Sequence, residues 1–126
     1  MKTEILREKY KKYNLTKDDV FKHQHYIIIT RSGIEKIIAL EDISMTFEVI
    51  KCEKDFCVVK AQASKAEVEI QTFGSALKGD FKSGTTNSWY VMEMAEKRAM
   101  SRATLKLTGF YELGVFSEDE SEEFKR

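Results

Sequence analysis

The sequence of 126 residues has no proline, only two cysteines and two histidines, and no net charge. Without proline there are no rigid linkers and none of the strongest helix breakers, which suits one compact domain. Cys52 and Cys57 flank a short turn and can face each other across a hairpin. In a reducing compartment such a pair is expected as free thiols, not as a bridge. No Cys-x-x-Cys is present, and His23 and His25 have no third ligand patterned nearby, so no metal site is expected. No apolar run approaches the length of a membrane span, and the N-terminus lacks a signal-like apolar core, so a cytoplasmic protein without membrane contact is expected. Zero net charge argues against a generic basic protein that coats DNA.

What is present is a globular composition, 42% hydrophobic and 33% charged, with the charge unevenly placed. Between residues 82 and 110, Lys82, Lys97, Arg98, Arg102 and Lys106 outnumber Glu93 and Glu96. From residue 111 on the acids dominate, with Glu112, Glu118, Asp119, Glu120, Glu122 and Glu123 against Lys125 and Arg126. The expected organisation is one domain over residues 1–116 and an acidic tail over 117–126. The Ser117-Glu-Asp-Glu pattern would start a short acidic helix reaching Phe124. Such a tail serves for solubility or for a protein partner.

Residues 88–109 form the firmest element. They are rich in Ala, Met, Leu, Lys, Arg and Glu and contain no glycine before Gly109, so a long α-helix is expected. Asn87 and Ser88 suit its start, and Gly109 suits a left-handed residue past its end. Ala95, Ala99, Ala103 and Leu107 make a small-residue ridge able to lie close on a sheet. Arg98, Arg102 and Lys106 make the neighbouring ridge, and none has an acid three or four residues away. Their counter-charge must come from elsewhere: from solvent, from acids of the sheet such as Glu67 and Glu69, or from a phosphate backbone.

The remaining chain reads as strands and short helices. Residues 3–13 suggest an amphipathic helix, whose Lys9, Lys11 and Lys12 read as a solvated face. Tyr26-Ile-Ile-Ile suggests a buried strand. Ser32 and Glu35 form a capping-box pattern for a helix near residues 33–40, with Arg31 beside a helix start able to hold an anion. Residues 43–49, 56–63 and 66–72 alternate apolar and polar, implying an antiparallel meander with one wet face. The fold class is therefore α+β: a three- to four-stranded antiparallel meander packed on one long C-terminal α-helix, with short flanking helices. Gly79 and Gly84 have the spacing of a phosphate-binding loop, but Thr85-Thr86 stands where Lys-Ser/Thr is required. That excludes nucleotide hydrolysis, while Lys78 and Lys82 remain candidates for a polynucleotide backbone. The histidines have no partnered nucleophile, and no paired carboxylates stand out, so neither catalysis nor a cofactor is expected. Trp89 and Tyr90 are candidates for base stacking, with burial expected for at least one of them.

The order strand, helix, meander, glycine-bearing loop and basic helix resembles the single-strand annealing recombination proteins of the Rad-fifty-two type and their small phage relatives. The likeness rests on Lys97-Arg-Ala and Arg102-Ala in residues 95–109, on Phe73-Gly74, and more loosely on residues 29–36. It spans about residues 26–109. The resemblance implies a groove for single-stranded DNA lined by Lys97, Arg98 and Arg102, and subunits joined into rings. Together with Lys106, Lys78, Lys82 and Arg31, these residues form the candidate nucleic-acid site, with RNA remaining open as a ligand. The expected role is strand annealing or recombination in a phage or mobile element. The alternative is a non-catalytic structural or protein-interaction module, in which the arginines pair with acids of the protein itself.

Overall fold

The computed structural model describes residues 2–79, 86 and 89–120. Its architecture is α+β, with two three-stranded sheets and three α-helices among the described residues. None of these helices is long and apolar enough to cross a membrane.

The larger sheet consists of β3 (Ser44–Cys52), β4 (Phe56–Lys65) and β5 (Val68–Leu77), paired antiparallel in that order. Alternation sorts the two faces. Val59, Ala61 and Ala63 of β4 and Thr72, Gly74 and Ala76 of β5 are buried on one face, while Gln71 and Phe73 lie exposed on the other. The helix α3 (Val91–Leu107) covers the buried face with Ala95, Ala99 and Ala103, all fully buried. The approach is close enough to demand glycine in the strand. A Cβ on Gly74 would lie 2.3 Å from the Ala95 carbonyl oxygen and 2.4 Å from the Ala99 nitrogen, both backbone atoms that cannot yield. One position back on that face, Thr72 Oγ1 donates to the Ala99 carbonyl (2.7 Å).

The smaller sheet has β2 (Tyr26–Ile29) between β1 (Val20–His23), antiparallel, and β6 (Val115–Ser117), parallel. Residues 110–116 read in the sequence only as an apolar patch. Three residues show too little alternation to announce a strand, and the partner lies far away, Ile27 against Val115. Val115 and Ser117 point inward, and Phe116 packs edge-on against Tyr26 and Tyr111, with ring centroids 5.5 and 5.4 Å away.

The helix α2 (Arg31–Glu41) begins two residues earlier than the Ser32 capping pattern suggests. Thr30 is the N-cap, its hydroxyl accepting from the Gly33 N–H (3.3 Å). The Ser32 hydroxyl donates instead to Asp19 (3.0 Å). The helix α1 (Lys2–Lys12) contributes Leu6, and the following Tyr13 is buried too; both join Ile29, Ile34, Ile37, Leu105, Phe110 and Val115 in the core between the sheets. Lys9 is not a plain solvated lysine. Its ammonium donates to the Thr108 carbonyl (2.6 Å) at the end of α3 and lies 5.2 Å from the Phe110 ring centre, and burial lowers its pKa.

Two buried carboxylates tie these layers together. Asp19 accepts from Lys36 (2.6 Å), from Ser32 and from the Thr16 N–H (3.0 Å). Burial pushes its carboxyl upward, but these bonds outweigh it and bring the pKa down to about 2. Glu41 is held by Lys12 (2.9 Å), Lys65 and Tyr13 (2.5 Å). Here too burial is outweighed, and the carboxyl falls to about 2.

Candidate nucleic-acid interface

Four of the expected basic residues, Arg31, Arg98, Arg102 and Lys78, fall into two groups. The first lies where α3 meets the edge of β5. Arg98 is 2% exposed. Its guanidinium donates to the Ser75 carbonyl (2.8 Å) and, through Nε, to the Asp119 carbonyl (3.0 Å). One turn on, Arg102 donates to the Phe73 carbonyl (3.1 Å) and pairs with Glu120 (3.0 Å). Phe73 and Ser75 are alternate residues of β5, so the two arginines cover successive carbonyls of an edge strand. Arg31, at the first position of α2, reaches the same place. Its guanidinium pairs with Asp119 (3.3 Å), and its backbone N–H donates to Glu118 (3.3 Å). Ser101 of α3 donates to the other Asp119 oxygen (2.9 Å).

Three consecutive acids directly after β6, Glu118, Asp119 and Glu120, therefore meet this cluster, with Glu120 supplying the counter-charge of Arg102 and Asp119 that of Arg31. Sequence reading left the counter-charge of the α3 ridge to solvent, to acids of the sheet such as Glu67 and Glu69, or to a phosphate backbone. Glu69 instead takes part in a hydrogen bond with Gln62 across the open face of the sheet. Residues 118–120 form a short helical turn, and Asp119 and Glu120 are buried. Nothing local in the sequence identifies them as partners of Arg98 and Arg102. The pairing is set by the return of β6 to β2.

The second group lies at the opposite end of α3. The helix starts at Val91, with Tyr90 as N-cap and no side-chain capping bond, which leaves Trp89 and Tyr90 ahead of it. Asn87 and Ser88, the expected caps, fall outside the described residues, as does Lys82. Burial was expected for at least one aromatic, yet Trp89 is 58% and Tyr90 70% exposed. Val91, the first helical residue, is buried with Cys57, Val59 and Ala76, while the two residues before it stay exposed. Lys78 Nζ lies 4.6 Å and Lys54 Nζ 5.4 Å from the centre of the Trp89 ring. The Lys78 backbone N–H donates to the Asp55 carbonyl (2.7 Å), which holds the end of β5 against the β3–β4 turn carrying Lys54. Thr86 is held at this point, accepting from the Gly79 N–H (2.9 Å) and donating to the Leu77 carbonyl (3.2 Å).

Lys54 was missed by sequence reading, since a lysine between Glu53 and Asp55 in a turn looks like any turn residue. The usable signal was the single tryptophan beside a tyrosine at an element boundary. Lys97 is half-buried on α3, and Lys106 is exposed, 5.2 Å from the Tyr111 ring centre. Neither joins the Trp89 group. Cys52 and Cys57 are paired across β3 and β4 at the base of the same turn, Cys52 exposed and Cys57 buried. Burial and the neighbouring Cys52 push the Cys57 thiol up to about 11, so it is a poor nucleophile. Among the described residues no group of three His, Cys, Asp or Glu side chains is placed to hold a metal.

The chain matches no protein-family model, no curated protein and no solved structure.

Proposed function

We propose that this protein binds single-stranded nucleic acid, DNA in the first instance, and supports strand annealing or recombination in a phage or mobile element. The observation that carries the reading is the exposed Trp89 flanked by the ammonium groups of Lys54 and Lys78, with Tyr90 exposed beside it. Single-strand binders combine aromatic rings that accept unpaired bases with cations that follow the backbone. Here both occur at one corner of the fold, on the rim of a sheet that restrains their backbones. Stacked bases would lie against Trp89 and Tyr90, and the two lysines would meet the adjoining phosphates. In this reading the protein acts in the cytoplasm by positioning strands, needs no cofactor and catalyses no reaction. Kinship with annealing proteins and assembly of several copies belong to the same proposal.

A second reading, a structural or protein-interaction module, is favoured by one observation. Arg98 is buried and engaged within the protein, so it serves the fold before any ligand.

Trp89 is the only tryptophan, so its fluorescence reports directly on the site. Titration with a thymidine oligonucleotide at low salt should quench it. Anisotropy of a labelled oligonucleotide should show Trp89→Ala weakening binding by about 1–3 kcal/mol. A folded wild-type protein that neither quenches nor binds at low salt ends the nucleic-acid reading in favour of the module. Parallel titrations with uridine oligonucleotides decide between DNA and RNA.

A further inference from the structure

Three consecutive acids after β6, Glu118, Asp119 and Glu120, meet Arg31, Ser101 and Arg102. We propose that Glu118 and Glu120 are intramolecular stand-ins for phosphodiester groups. They fill a second anion track, formed by the N-terminus of α2, Arg31 and Arg102, which single-stranded nucleic acid enters by displacing them. The inference rests on the function proposed above and adds its regulation.

Three observations carry it. First, the site is built for anions independently of its present occupants. Arg102 is positioned by the Phe73 carbonyl as well as by Glu120, so it stays in place when Glu120 leaves. The N-terminus of the 11-residue α2 has no acid in its first turn, and its Arg31 N–H points at a carboxylate supplied from elsewhere in the chain, Glu118. Second, the cations can be reached from solvent. Arg98 and Ser101 hold Asp119, and Glu120 is itself buried, while the side chains of Arg102 and Arg31 remain 31% and 43% exposed. Asp119 anchors the turn and keeps its pairing with Arg31, and the exposed flank of Arg102 is where a polyanion would first compete with Glu120. Third, the exchange is isoelectric, replacing one oxyanion by another on the same donors. No cation has to be desolvated anew, so the cost of opening is confined to releasing Glu118 and Glu120 into water. A ligand that binds only the open form shifts the equilibrium by its differential affinity.

The test uses the full chain with Glu118→Gln and Glu120→Gln combined, which removes both charges and keeps the shape and acceptor oxygens. Anisotropy with a labelled thymidine oligonucleotide is measured from low to moderate salt. The double variant should bind at least about fivefold more tightly than wild type, in the range of ordinary site-to-site coupling. Its plot of log affinity against log salt should steepen by about 0.7 for each added cation. Adding Arg102→Gln should remove the gain. A folded double variant with unchanged affinity and slope, while Trp89→Ala still weakens binding, overturns the plug alone. No binding by wild type or by the double variant overturns both proposals. If the glutamine variant fails to fold, amide hydrogen exchange of the wild type decides. Oligonucleotide should speed exchange over residues 118–120, and unchanged or slower exchange there overturns the plug.

Discussion

Gly74 and Arg98 show how little freedom single residues have where α3 meets β5. Gly74→Ala puts a methyl group into the α3 backbone, and overpacking of this kind costs about 1–3 kcal/mol. Urea unfolding should show a lowered midpoint with an unchanged slope. Arg98→Ala leaves the Ser75 and Asp119 carbonyls without their donor and empties a buried volume, and we expect a loss of about 2–4 kcal/mol. Lost DNA binding in that variant would therefore say nothing about a groove, which is why Trp89, Lys54 and Glu120 are the informative positions. The cysteines give a simpler check. A thiol reagent should modify Cys52 in the native protein and reach buried Cys57 only on unfolding. Simultaneous native modification of both would show that the β3–β4 hairpin opens.

Among the elements, those with a strong local period were legible. Phe56 to Ala63 alternates, and it lies within β4; the Ala95, Ala99, Ala103 ridge marks the sheet-facing side of α3. The start of α2 was misplaced because Thr30 and Ser32 both look like caps, and the choice was made by Asp19, which engages the Ser32 hydroxyl. Thr30→Ala should destabilise the protein by about 1 kcal/mol, read as a lowered melting temperature, whereas the Ser32 pattern predicts no effect there. β6 was illegible because its reason for being a strand is β2. The same holds for the site: the Arg98 ridge was visible as a row of cations without local partners, but not the acids that answer it. Trp89 stood out by composition, while Lys54 needed the fold to bring its turn to the end of β5.

For the molecule as a whole, stability in acid draws on two carboxylates among the described residues, Asp19 and Glu41. Asp19 and Glu41 both have folded pKa values near 2, below their unfolded values near 4. Their stabilisation is therefore fully present above about pH 5 and is lost as pH falls toward 2, up to about 3 kcal/mol each. Denaturation midpoints should decline through that window, and Asp19→Asn should flatten part of the decline. Between pH 6 and 8 neither group contributes any slope.

The parallel pairing of β2 with β6 bears on how the chain reaches this structure. Ile27 meets Val115, so the small sheet closes across almost the entire described chain. The hairpins β1–β2 and β3–β4–β5 involve near neighbours and can form early, but β2 must wait with one edge unsatisfied until β6 is made and brought back. During synthesis that edge, with Ile27, Ile28 and Ile29, is available to other chains. The same late return delivers Glu120 to Arg102 and the Asp119 carbonyl to Arg98, so the last strand to dock also brings a counter-charge to the helix that covers the larger sheet.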